Sequence, residues 1–115
     1  KLPRYFYQFT SPCMRLYRRD IFTQLALSFP EGMIYEDVIF SLDFWNSNPT
    51  YIQIPYLGYN YTSNPLSTTA KRNRTKEQEL FYILRQRLRH ASTFKHWCIV
   101  LLTIIRLKFH FKRYD

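Results

Sequence analysis

The 115-residue chain is predicted to fold as a mixed α/β unit followed by a basic helical tail. Three observations lead there. Two runs, Tyr5 to Thr10 and Thr50 to Tyr61, are aromatic and roughly alternating, the pattern of short half-buried strands. Other segments space apolar residues at i, i+3, i+4 and i+7, the pattern of helices with one packed face. Charge then divides the chain: residues 1–70 hold five basic and five acidic side chains, whereas residues 71–115 hold twelve basic side chains against Glu77, Glu79 and Asp115. The formal charge of +9 therefore belongs to the second part, expected as a basic tail over 71–115 after a balanced unit over 1–70.

Tyr5-Phe6-Tyr7-Gln8-Phe9-Thr10 predicts a strand at the start of the chain. Phe22, Leu25, Ala26 and Phe29 predict a helix over roughly 18–28, and Pro30-Glu31-Gly32 predicts a turn. The next helix is expected to open near Glu36 or Asp37 and to run to about Ser47. Val38, Leu42 and Trp45 would share a face, and Asn48-Pro49 would end it. Tyr51 to Tyr61 predicts one or two short strands, broken around Pro55 and Gly58; residues 62–73 predict a loop. Thr75 and Gln78 have capping-box spacing before a helix over roughly 76–90. Ser92 is expected to cap a last helix over about 93–113, with Phe94, Trp97, Cys98, Leu101, Leu102, Ile105 and Phe109 as its apolar stripe.

Composition narrows the chemistry. Apolar residues make up 46% and aromatics 19%, enough for a core and too many for a disordered chain. Two glycines leave no Gly-rich phosphate loop in this sequence. Cys13 and Cys98 are distant and unpatterned, which favours a reducing compartment over a disulfide or zinc framework. The sequence opens with neither a signal peptide nor a methionine, so the chain is expected to be cut from something longer. In the last helix the uncharged run extends only from Trp97 to Ile105, against about 20 residues for a membrane span. With Lys95, Arg106, Lys108, Lys112 and Arg113 around it, that helix suits an anionic membrane surface. Nucleic acid is the less favoured polyanion, and packing against the rest of the protein explains the apolar stripe equally well.

Glu36 and Asp37 are the leading chemical candidates. Acids at a helix start are common because they complement the helix dipole, and for an arbitrary acidic pair that explanation suffices. Here the pair lies inside the aromatic run Phe29 to Trp45, where a desolvated carboxylate could serve as a general base for a hydroxyl. Arg15, in Arg15-Leu16-Tyr17-Arg18-Arg19-Asp20, is a candidate for phosphate or acceptor contact, although an exposed helix start with weak ion pairs accounts for that cluster more simply. Tyr59 and Tyr61 belong either to a strand or to a sugar-stacking wall, with the strand favoured. His90, His96 and His110 carry no metal spacing.

Three blocks stand in sequence: Cys13-Met14-Arg15-Leu16-Tyr17-Arg18-Arg19, then Phe29 to Trp45, then Ile54 to Thr69. Their order resembles the C-terminal half of family 2 glycosyltransferases of the GT-A fold, in particular bacterial enzymes that build surface polysaccharides. The likeness covers roughly residues 11–70. Thr62 stands where that family often carries an arginine, and Met14-Arg15 where it often carries Asn-Lys. The resemblance implies the C-terminal part of a GT-A nucleotide-sugar transferase fold and an inverting transfer from a nucleotide-sugar donor to a glycan or lipid-linked acceptor. It implies Asp37 as general base and Glu36 as acceptor-binding or supporting acid. It also implies a divalent metal, Mn or Mg, with ligands in a preceding nucleotide-binding half that is not in this sequence, so the chain is expected to be a C-terminal fragment or a truncated gene product, incomplete and inactive alone. The expected location is cytoplasmic, peripheral at the inner face of the cell membrane. The rival reading is a non-catalytic basic module that grips anionic membrane or RNA, and a homo-oligomer could bury apolar surface left by the missing half.

Overall fold

The computed structural model describes residues 11–60, 62, 64–68 and 71–112. It divides into two compact units, Lys1–Arg72 and Asn73–Asp115. Among the described residues every regular element is helical: a 3-10 turn at Pro12–Met14, then α1 (Asp20–Gln24), α2 (Glu36–Asn46), α3 (Arg74–Arg89) and α4 (Phe94–Lys112).

The predicted mixed α/β architecture is thus corrected to an all-helical one, and the GT-A-type sheet does not appear among the described residues. The expected strand at Tyr5–Thr10 lies outside them. The expected strands after Tyr51 do not form: residues 51–60 are irregular and every one is exposed. Alternation shows that a segment would fit a pleated surface, but a strand persists only where another offers its hydrogen bonds. Pro55 also withholds one donor from any such ladder.

In the first unit, α1 is shorter than its spacing predicts. Ala26 takes a left-handed conformation at φ 48°. The Leu27 amide donates to the Phe22 carbonyl at 3.0 Å and the Ala26 amide to that of Thr23 at 3.4 Å, the paired bonds of a Schellman close. This turn sends Leu27 inward, where it packs with Phe22, Phe40 and Phe44. Of the helical quartet, Phe22 joins the core, whereas Leu25 and Ala26 are exposed.

The core of this unit is aromatic. Phe29 stacks on Phe40 with centroids 4.1 Å apart and planes at 9°. Tyr17 meets Phe40 and Phe44 edge-on at 5.8 and 5.3 Å, and Trp45 meets Tyr51 edge-on at 5.1 Å. Such offset and edge contacts suit the ring quadrupoles. α2 lies where its pattern predicts, with Val38 through Leu42 and Phe44 buried. It stops where Asn48 turns left-handed at φ 57°, just before Pro49.

The second unit is a helical hairpin. Only residues 90–93 separate α3 from α4, so the chain folds straight back, and Phe81, midway along α3, meets Phe111 near the end of α4. Leu80 and Leu84 of α3 are buried, as are Val100, Thr103, Ile104, Leu107 and Phe111 of α4. The Thr103 hydroxyl donates to the Ile99 carbonyl at 2.8 Å, so its burial leaves no donor unsatisfied. Two expected caps shift by one or two residues. Asn73, not Thr75, caps α3 by accepting from the Lys76 amide. Thr93, not Ser92, accepts from the His96 amide at 3.1 Å to open α4. In both cases the residue whose oxygen falls three positions before a free helix amide does the capping.

Candidate functional site

The approach to α2 is set by two left-handed residues, Gly32 at φ 75° and Tyr35 at φ 70°. Tyr35 is the N-cap, and no side-chain hydrogen bond caps this helix. Left-handed backbone costs a bulky residue about 1 kcal/mol or more, and such strain gathers where the chain must deliver a side chain to a set place. Directly after Tyr35, Glu36 and Asp37 occupy the first turn. Both acids complement the helix dipole, as the simpler explanation of them requires.

Their surroundings then differ. Glu36 is exposed; Asp37 is half-buried. Burial pushes the Asp37 carboxyl above its ordinary value of 3.8, opposed by a hydrogen bond from the Val38 amide and reinforced by the neighbouring charge of Glu36. The Val38 amide donates to Asp37 Oδ1 at 2.9 Å, which holds one oxygen in place.

One turn on, at i+4 from Asp37 and on the same face of α2, lies the fully buried Ser41. Arg15 reaches it: Nη1 donates to Ser41 Oγ at 3.5 Å and to the Tyr17 hydroxyl at 3.1 Å. The guanidinium also lies over the rings of Phe44 and Trp45, 5.4 and 5.3 Å from their centroids. Tyr17 in turn donates to the Pro12 carbonyl at 3.3 Å, tying the turn before α1 to this cluster. Arg15 therefore belongs to α2's surroundings and not to an exposed run of charges. The charge cluster after it does match the simpler expectation, since Arg18 and Asp20 pair at 2.6 Å on the surface.

The other predicted site residues are scattered. Tyr59 lies in the irregular segment 51–60 and is half-exposed; Tyr61 and Arg113 fall outside the described residues. On α4, Trp97, Lys108 and Lys112 are exposed and Arg106 is half-buried. Cys13 and Cys98 are free thiols. No three His, Cys, Asp or Glu side chains among the described residues are grouped to hold a metal; the ligands that the resemblance implies belong to a preceding half outside this sequence. Sequence reasoning missed Ser41 and Tyr17, whose only signals were their spacing from Asp37 and Arg15. It also missed Glu77, a buried acid in line with Leu80 and Leu84 on the packed face of α3.

Comparison with protein-family models, with curated proteins and with solved structures returned no match.

Proposed function

We propose that the first unit carries the acceptor-activating residues of an inverting glycosyltransferase, with Asp37 as general base. The observation that supports this reading is the state of Asp37: a half-buried carboxylate of raised pKa, one oxygen held by the Val38 amide, beside an exposed second acid. A raised pKa makes a carboxylate a stronger proton acceptor, and a fixed oxygen can be aimed at a hydroxyl.

In the proposed step an acceptor hydroxyl gives its proton to Asp37 while its oxygen bonds to the anomeric carbon of the donor sugar. The bond from that carbon to the nucleoside diphosphate breaks on the opposite face, and the leaving group takes the electron pair. Negative charge at Asp37 stabilises the positive character that develops at the sugar carbon. Glu36 faces solvent and would bind acceptor hydroxyls. Arg15 orders α2 through Ser41, Phe44 and Trp45 and is the candidate contact for an acceptor phosphate. The reading places the protein in the cytoplasm, at the inner face of the membrane, where lipid-linked acceptors lie.

The test, run on a longer protein that also carries the implied nucleotide-binding half, is release of nucleoside diphosphate from a panel of nucleotide sugars in the presence of lipid-linked and free glycan acceptors. Asp37→Asn is expected to lower turnover about 10²- to 10⁴-fold while leaving the KM for donor nearly unchanged. Undiminished turnover in that variant ends the general-base assignment.

A further inference from the structure

Helix α4 has two apolar faces, and the hairpin with α3 uses only one of them. Val100, Thr103, Ile104, Leu107 and Phe111 recur at i, i+3, i+4, i+7 and i+11 and are buried. On a different side of the helix, Phe94, Leu102, Ile105 and Phe109 stay in contact with solvent, with Phe94 and Phe109 80% and 71% exposed. Trp97 is also exposed, and its indole stacks with the Phe94 ring at 6.2 Å and 12°. The stripe that sequence spacing selects as the apolar face of this helix is thus largely the outer one. It runs along the full length of α4, longer than any single exposed side chain would explain.

Charge identifies what could cover it. From Leu80 to Tyr114 the sequence has no acidic residue. Lys95, Lys108 and Lys112 are exposed on α4 and Arg106 is half-buried there. No helix of the described residues is long and apolar enough to cross a membrane. We propose that the outer face of α4 lies in the plane of an anionic lipid bilayer, with Phe94, Trp97, Ile105 and Phe109 among the acyl-chain ends and the lysines at the lipid phosphates. Aromatic rings favour that boundary, and lysine stems cover apolar surface while their ammonium groups reach the headgroups. The anionic leaflet supplies the charge that this acid-free segment lacks. The inner face of α4 remains packed on α3, so docking leaves the hairpin intact. The assignment stands independently of any role for Asp37.

Co-sedimentation of the protein with vesicles tests it. Vesicles of mixed phosphatidylcholine and phosphatidylglycerol are expected to carry the protein down, phosphatidylcholine alone far less, and added salt should release it. Ile105→Glu combined with Phe109→Glu is expected to cut partitioning by about tenfold or more. Both residues are exposed, so helical circular dichroism should persist. Lys108→Glu with Lys112→Glu should weaken binding to the anionic vesicles selectively. With α4 unaltered, brominated lipid should quench Trp97, read in a Trp45→Phe background. Equal binding to neutral vesicles, full binding by the Ile105/Phe109 variant, or absent quenching overturns the proposal. So does a dimer in sedimentation that the same variant splits, which would assign the face to a second copy of this chain.

Discussion

Replacing Phe40 with alanine is expected to cost the first unit about 3–5 kcal/mol. The ring is 0% exposed. It stacks on Phe29 at 4.1 Å and on Phe22 at 6.1 Å, and takes the edge of Tyr17 at 5.8 Å. Losing its buried apolar surface alone accounts for about 1.5–3 kcal/mol. Each favourable ring pair contributes about 0.5–1.5 kcal/mol more. Rigid rings collapse poorly into a void, so the cavity penalty should stay near its upper range. Urea unfolding would be followed by Trp45 fluorescence in a Trp97→Phe background, which leaves one tryptophan of the two. At a slope of about 1–3 kcal/mol per molar urea, the midpoint should fall by at least about 1 M. A loss of that size can exceed the stability of a small unit, so Phe40→Leu, which keeps most of the apolar volume but forfeits the ring pairs, is the companion variant, expected to cost about 1.5–3 kcal/mol. A loss below about 1 kcal/mol for alanine, or no loss for leucine, would falsify the claim that the ring stack holds this unit together.

The backbone at Ala26 and the carboxyl of Asp37 give two further expected outcomes. Ala26→Gly should raise stability by about 0.5–1 kcal/mol, because φ 48° strains alanine and suits glycine; an unchanged or lower melting temperature would count against strain at that turn. For Asp37 the folded carboxyl titrates above its ordinary value of 3.8, so the folded state holds the proton more tightly than the unfolded one. That contribution is fully present below pH 3.8 and is lost as pH rises through the folded value. Asp37→Asn cannot ionise, so its stability relative to the parent should increase from acidic to neutral pH; a pH-independent difference between the two proteins would refute burial as the cause of the shift.

The helices were legible in the sequence to different degrees. α2, α3 and α4 stand close to where periodicity, turn residues and Pro49 put them, because those signals act locally. α1 was overextended: its spacing continues to Phe29, but the left-handed turn at Ala26 uses a residue type that rarely takes that conformation. The strands after Tyr51 failed for a different reason, since pairing is a relation between segments and a single segment does not reveal its partner. At the candidate site, the helix-start role of Glu36 and Asp37 was visible from position alone. The cluster of Arg15 with Tyr17 and Ser41 was not, because it joins residues 26 positions apart in the chain.

By itself the sequence determined the balance of charge, the absence of a Gly-rich phosphate loop, the position of α2 and the apolar repeat of α4. Those depend on composition and on spacing within one or two helical turns. Tertiary structure alone decided which apolar face of α4 is packed and which is open, and which of two adjacent acids is desolvated. Hydrophobic spacing shows only that a side chain can be buried; what buries it is another part of the chain, and that partner also sets the local dielectric on which a carboxylate's proton affinity depends.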